Sequence, residues 1–390
     1  MLGSLDRGGV ETWLLDLLTR LDRAEWQFDF STLGPTCGRY AAVARARGCQ
    51  VIPCPLGGLS GVSSFAWRLY RILRRGGYQL VHSHVHHFSG LVLAVARAAG
   101  VPGRVAHSHN THDGEGAGWR RRLYRTAAGV ALGSTATLDL ACSSEAARGL
   151  FGFRPAGDCP VHIVPYGLGE AFTAGAEDGN PHHDGALRRS LGLAEGTVVA
   201  GHVGRFERQK NHDFLLRVAA AAKSARPPLR WLLVGDGARR PEMERQAAGL
   251  GLDGLVVFCG RREDVSRLMW EAMDVFVLPS LHEGLPLVLL EAQAAGLRSL
   301  VSAVVTREAV VMPDAVEYLP LAASPDAWAE RLAALAARGR SSASEARRRL
   351  AARGFTIEAS LAALLGAYSA ALERPAKAPA GAPPRMEKCC

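Results

Sequence analysis

Val275-Phe276-Val277-Leu278-Pro279-Ser280-Leu281-His282-Glu283-Gly284-Leu285-Pro286-Leu287-Val288-Leu289-Leu290-Glu291 is the stretch on which the fold turns. Its first four residues are a short apolar run that reads as a buried strand. From Pro286 the pattern becomes helical. A proline suits a first helical turn because its missing N–H would have had no partner there. A strand that passes through a short polar loop into a helix is the repeating unit of a parallel α/β sheet. The free amides and positive dipole end of that helix make a ready site for a diphosphate. Glu283 falls in the loop, and Glu291 lies about two turns into the helix on roughly the same face. The plainer alternative is a buried junction with Glu283 as a first-turn cap and Glu291 in solvent.

The same grammar extends outward in both directions. In the second half, Val198 to Val203, Arg230 to Val234 and Val256 to Cys259 read as further strands, with helices over Asp213 to Ala225, Pro241 to Leu250 and Val265 to Ala272. In the first half the strands are Gln27 to Leu33, Gln50 to Pro53, Leu80 to Ser83 and Arg104 to His107, with helices over Glu11 to Leu21 and Ser64 to Arg75. A chain of 390 residues exceeds one ordinary core. Residues 1–168 form an N-terminal domain, 169–196 a Gly-, His- and Asp-rich hinge, and 197–357 a C-terminal domain. A helix over 358–373 is placed to pack back on the first domain, and a Pro-rich tail over 374–390 reads as disordered. The class is α/β, two doubly wound domains facing across a cleft, where ligands collect beyond the carboxyl ends of the strands.

Three further elements stand at strand ends. Gly204-Arg205-Phe206-Glu207-Arg208-Gln209-Lys210-Asn211 follows a strand directly, and two fixed cations there can neutralise a diphosphate leaving group without a metal. No Gly-Lys-Ser/Thr closes it, so it is not a P-loop; read alone it is equally an exposed basic loop. Gly235-Asp236-Gly237 marks a tight turn after the next strand. Gly260-Arg261 follows the third, placed to touch a base or phosphate.

These elements in this order resemble the family-4 retaining glycosyltransferases of the GT-B fold, in particular exopolysaccharide and capsular polysaccharide enzymes. The resemblance runs from Leu2 to about Leu372. It implies a retaining, metal-independent hexosyltransferase that needs no cofactor. Its donor would be a nucleotide-diphosphate sugar, UDP- or GDP-linked, and its acceptor a glycan or a lipid-linked glycan. Placed on matching positions, Arg205 and Lys210 hold the diphosphate, and Glu283 contacts the donor sugar. Amides near Leu285, Leu287 and Val288 meet the phosphates, and Glu291 binds the ribose. The Gly8-Gly9 loop, with Glu11 opening its helix, closes over the donor, and Gly237 and Arg261 complete the donor contacts. A histidine near the transferred sugar is implied, with His109 chosen and His107 in reserve. His109, Glu283, Arg205 and Lys210 are thus the catalytic set. The chain departs from the family in carrying Tyr166 and Gly169 in the hinge motif and Arg298 where proline is common, none of them expected to touch the diphosphate machinery.

His82, His84 and His86 alternate along one strand, with His87 beside them, and His107 and His109 repeat the pattern on the next. Same-face histidines can ligate a metal, so a metallohydrolase is a rival class. No Asp or Glu lies within Val81 to Asn110 to orient such ligands, and the expectation is no metal. A second rival, a nucleotide-sugar epimerase of the same fold, needs acid–base carboxylates in the first domain, where Asp113 and Glu115 are poor candidates.

Composition is globular, 48% hydrophobic and 21% charged, with a net charge of +9 and a pI of about 9.4. A basic chain suits anionic partners. No nucleic-acid-binding signature is present, so nucleic acid is set aside. Trp67 to Arg75 and Trp119 to Arg125 are basic and aromatic, as segments that lie on acidic lipid are. The alternative is two solvated helix faces with their aromatics buried. With neither a membrane-spanning run nor a signal segment, the expected place is the cytosol, at the inner face of the membrane if those segments bind lipid. The eight cysteines, none in a Cys-x-x-Cys pair, read as reduced thiols. Met1-Leu2-Gly3 runs at once into the Gly8-Gly9 turn and leaves little of the strand expected there. A start roughly five to eight residues upstream would supply it.

Overall fold

The computed structural model describes residues 1–6, 8–57, 61–111, 118–152, 160–173, 185–224 and 229–373. Strands β1 (Phe30–Thr32) and β2 (Val51–Pro53) pair in parallel, as do β3 (Leu80–Ser83), β4 (Gly103–Ser108), β5 (Leu138–Ala141) and β6 (Val161–Ile163) in that spatial order. Met1 and Leu2 bridge the two groups. The Leu2 N–H donates to the Ser31 carbonyl at 2.9 Å, and Leu2 accepts from the Leu33 N–H at 3.0 Å. Toward β3, the Met1 ammonium donates to the His82 carbonyl at 2.7 Å, and Met1 accepts from the His84 N–H at 3.0 Å. Two residues therefore span the place where a full central strand was expected.

The second half is one parallel sheet of β7 (Val198–Val203), β8 (Leu229–Val234), β9 (Val256–Gly260), β10 (Val275–Leu278), β11 (Arg298–Ser302) and β12 (Val316–Leu319), in the order β12-β11-β10-β7-β8-β9. Strand order reverses between β7 and β10, so the loops leaving them diverge and open a crevice at their carboxyl ends. All four residues of β10 are buried, which is why it reads as an unbroken apolar run: helices cover both faces. On one face Phe214 meets Trp328 edge to face, ring centres 5.4 Å apart. On the other the helix Leu287–Ala294 buries Gln293, whose amide is fully used: it donates to Leu289 and Ala309 carbonyls and accepts from the Val311 and Met312 N–H groups.

Several local expectations change. Pro286 is the N-cap rather than a first-turn residue, with ψ 98°, and the helix opens at Leu287. The helix expected over 265–272 is one α turn, Val265–Arg267, that widens into a π turn, Leu268–Ala272. Strands β5, β6, β11 and β12 were not read from the sequence. Asp139 interrupts β5 and Arg298 opens β11, and each masks a short apolar run. Arg298 instead pins the start of β11, donating to the Gly339 and Asp314 carbonyls at 2.8 Å each.

Of the hinge stretch, residues 174–184 lie outside the described residues, as does the tail 374–390. The helix Ala186–Ser190 is tied to the second sheet by Arg188, which reaches the Asp274 carboxylate at 3.3 Å. The last helix, Ile357–Glu373, lies against the first half. There Trp13 Nε1 donates to Ser360 Oγ at 2.9 Å, and Ser360 Oγ donates to the Pro165 carbonyl at 2.7 Å.

Candidate active site in the cleft

Between the halves lies a cleft of about 720 Å³, at the carboxyl ends of β7 and β10. One wall is built from two loops that meet. Lys210, after β7, places Nζ 2.6 Å from Glu283 Oε1, after β10, and both side chains are largely buried, 16% and 7% exposed. Gln209 Nε2 donates to the second oxygen of Glu283 at 3.2 Å and to the His282 carbonyl at 2.9 Å. Asn211 takes a left-handed backbone, φ 55°, which reverses the chain so that its Nδ2 reaches the Pro279 carbonyl at 3.1 Å. An ion pair held this tightly in low dielectric fixes the position of both charges; removing one member strands the other.

The glycines of these loops are required by contact. A Cβ on Gly235, at φ 141°, would stand 1.9 Å from the Gly204 carbonyl oxygen, so the two turns pack backbone to backbone. Arg205 is more open than Lys210 and pairs with Glu207 at 3.1 Å at the cleft wall. Glu11 lies close enough to feel Arg205. Burial raises its pKa to about 7, with Arg205 opposing the shift.

Across the cleft His109 is held on both ring nitrogens, Nδ1 2.6 Å from the Tyr166 hydroxyl and Nε2 2.6 Å from His84 Nδ1. Tyr166 also stacks on it, the rings 10° from parallel. Burial lowers the His109 pKa to about 3, so near neutral pH the ring is uncharged, with both nitrogens engaged inside the protein. The halves touch here: His282 Nδ1 lies 3.1 Å from Asn110 Oδ1, and Ser143 Oγ donates to the Gly284 carbonyl at 2.8 Å.

Gly8, Gly9, His109, Arg205, Lys210, Arg261, Glu283, Leu285, Leu287, Val288 and Glu291 all line this cleft. Gly237 does not; Gly235 and Asp236 of the same turn do. A Cβ on Gly237 would stand 2.7 Å from the Phe206 carbonyl oxygen, so that glycine serves packing between the turns. The reserve histidine, His107, is buried behind the cleft and is 3.1 Å from His82. Asp113 and Glu115 lie outside the described residues. Tyr166, counted from sequence only as a departure, proves to support His109. Trp13, Gln209 and Asn110 also line the cleft unannounced; Trp13 looks like any core aromatic at helical spacing, and only Gln209 sits inside a motif that could have flagged it.

Residues 8–167 match the family described as "Glycosyl transferase 4-like domain", and residues 197–338 match "Glycosyl transferases group 1". EpsF of Bacillus subtilis, named as a glycosyltransferase, is 34% identical over 376 residues, 96% of each chain. The chain belongs to the group 1 glycosyltransferases. An Escherichia coli protein named UDP-Gal:alpha-D-GlcNAc-diphosphoundecaprenol alpha-1,3-galactosyltransferase is 30% identical over 245 residues, 60% of each chain. Among solved structures, Anabaena HepE in complex with UDP-glucose superposes with a TM-score of 0.73 at 18% identity, covering 95% of this glycosyltransferase and 98% of HepE. The fold is therefore GT-B. No helix among the described residues of this glycosyltransferase is long and apolar enough to cross a membrane.

Proposed function

We propose that this glycosyltransferase moves a hexose from a nucleoside-diphosphate sugar to a glycan or lipid-linked glycan with retention of anomeric configuration, and that it does so without a metal. The observation that carries the reading is the Lys210–Glu283 pair at the point where strand order reverses, facing His109 across the cleft. In this reading Lys210 and Arg205 take the diphosphate, with amides at the start of the helix Leu287–Ala294 completing the charge balance. Glu283 accepts hydrogen bonds from the sugar hydroxyls and Glu291 from the ribose, while neutral His109, fixed by Tyr166 and His84, shapes the opposite wall against the sugar. The acceptor oxygen bonds to the anomeric carbon on the face the diphosphate leaves. The acceptor proton passes to the departing phosphate oxygen, so no protein base is required.

UDP-glucose in HepE and UDP-galactose in the name of the Escherichia coli relative make UDP-sugars the first donors to test. The diphosphoundecaprenol acceptor in that name, together with the likeness to EpsF, supports a place in polysaccharide biosynthesis. A membrane surface fits the same picture. Trp67 and Trp119 are 58% and 72% exposed, so these aromatics are not buried, and Leu123 is exposed beside them. Arg120, Arg121 and Arg122 sit in the first turn of the helix Trp119–Thr135, where the dipole disfavours cations, and an anionic headgroup offsets that cost. The decisive experiment is transfer from radiolabelled UDP-sugars to a lipid-diphosphate-linked acceptor, with the product anomer read by NMR. Donor binding without transfer to any acceptor, or an inverted product, overturns the reading.

A further inference from the structure

His82 stands on β3, His84 directly follows its end, and His107 stands on neighbouring β4. Each offers one ring nitrogen, and the three atoms lie within 4.8 Å of one another. His82 Nε2 is 3.1 Å from His107 Nδ1. Two nitrogens bound to a tetrahedral zinc ion at ~2.0–2.1 Å stand about 3.3 Å apart, so the pair is already close to ligand spacing. The other nitrogens are engaged as those of a metal-bound imidazole are. His82 Nδ1 is 2.5 Å from the Tyr368 hydroxyl, and His84 Nδ1 is 2.6 Å from His109 Nε2. Protons on these Nδ1 atoms leave lone pairs on both Nε2 atoms.

His107 completes the argument. Its Nε2 is buried with no hydrogen-bond partner, and its ring stands at 90° to Trp13. If the proton sits on that Nε2, Nδ1 faces His82 Nε2 with a lone pair: the contact is a hydrogen bond where Tyr368 donates to His82 Nδ1, and a lone-pair repulsion where His82 Nδ1 carries the proton. If it sits on Nδ1 and bonds His82, a bare acceptor is buried at Nε2. In every tautomer His107 Nε2 therefore goes without a hydrogen-bond partner. A cation between the rings removes the repulsion and costs no proton. Desolvation lowers the pKa of all three imidazoles well below the ordinary value, which keeps them in the neutral, ligating form.

The geometry points to a site for one divalent ion of the zinc class, held by His82, His84 and His107 and fastening β3 to β4. An all-imidazole set favours zinc, cobalt, nickel or copper over magnesium or calcium. None of the three lines the donor cleft, so the ion is structural and takes no part in transfer. The test uses untagged full-length protein stripped with chelator and titrated with cobalt(II), then zinc(II). One equivalent of cobalt should give the visible bands of a tetrahedral site, zinc should displace it, and zinc should raise the Tm by at least ~2 °C. Magnesium should do neither. H107Q and H82N should abolish the bands, while H162A, an exposed histidine on β6, should keep them. The wild-type titration decides even where a variant fails to fold. No stoichiometric cobalt spectrum, or one that survives H82N with H107Q, overturns the site. Unchanged initial transfer rates in chelator are expected, so failure of the ion site leaves the transferase reading untouched.

Discussion

The two halves share a parallel-sheet architecture and solve the problem of a polar interior in opposite ways. The donor half places one compact ion pair, Lys210 with Glu283, at the edge of an almost wholly apolar sheet, and surrounds it with hydrogen bonds from its own loops. The first half puts four imidazoles, His82, His84, His107 and His109, under the cleft and uses tyrosines from the hinge and the last helix to hold them. One half positions charge; the other positions neutral donors and acceptors. A diphosphate leaving group needs the first, while a sugar hydroxyl is held as well by an uncharged partner and suffers no charge repulsion from it.

The sharpest way to break this contrast is to remove the donor-side charge. Lys210→Ala should lower kcat by at least ~10²-fold while UDP binding weakens less, because the lost charge acts most as the diphosphate departs. A folded K210A enzyme within a few-fold of wild type would erase the proposed division of labour. On the other side His109→Gln should cost about 10-fold or somewhat more, since the ring that Tyr166 and His84 fix at the cleft wall is lost but no charge is. A loss equal to that of K210A would mean the imidazole does more than position the sugar.

Acid should separate the halves next. His109 has a folded pKa of about 3, and His82, His84 and His107 are also pushed well down by burial. The unfolded chain protonates these rings near pH 6.5. Their contribution is therefore complete above that value and is lost as pH falls toward the folded pKa, at about 1.4 kcal/mol per pH unit for each ring only the unfolded chain protonates. Burial also lowers His202 to about 4 and His212 to about 2 in the second half, so denaturant melts in chelator from pH 7 to 5 should show both halves weakening, the first with its four rings more than the second with two. His84→Asn should flatten that slope, and an unchanged slope would refute the assignment. The smallest effect concerns the membrane. Changing Arg120, Arg121 and Arg122 to Gln should reduce sedimentation with anionic vesicles, most visibly at low salt, and leave transfer to a soluble acceptor within about twofold.

This contrast also decides what could be read in advance. Lys210 and Glu283 are legible because each lies in the loop that leaves a strand, and Glu291 because helical spacing after that loop places it on the helix Leu287–Ala294. The first half gave His109 only through a family resemblance. Tyr166 lies 57 residues from His109 and Tyr368 lies 286 residues from His82, the rings they bond, and no local period records either contact. Gly237 was misjudged for the related reason that one turn offers several glycines, and the neighbouring Phe206 backbone decides which one faces inward. Strand β5 escaped because the buried Asp139 interrupts three apolar neighbours, and β11 because Arg298, Ser299 and Ser302 leave only Leu300 and Val301 as an apolar run.

Gly284 has a consequence for how variants of this enzyme will be interpreted. A Cβ there would lie 2.2 Å from the His109 carbonyl oxygen, so the seam between the halves has no slack of even one methyl group. In a saturation library the position will therefore look as intolerant as Lys210, yet it bonds no substrate through a side chain. Its role is that of a spacer of fixed thickness, setting how far His109 stands from Glu283 across the cleft. Thickening it by one carbon changes the width of the active site without altering any functional group in it.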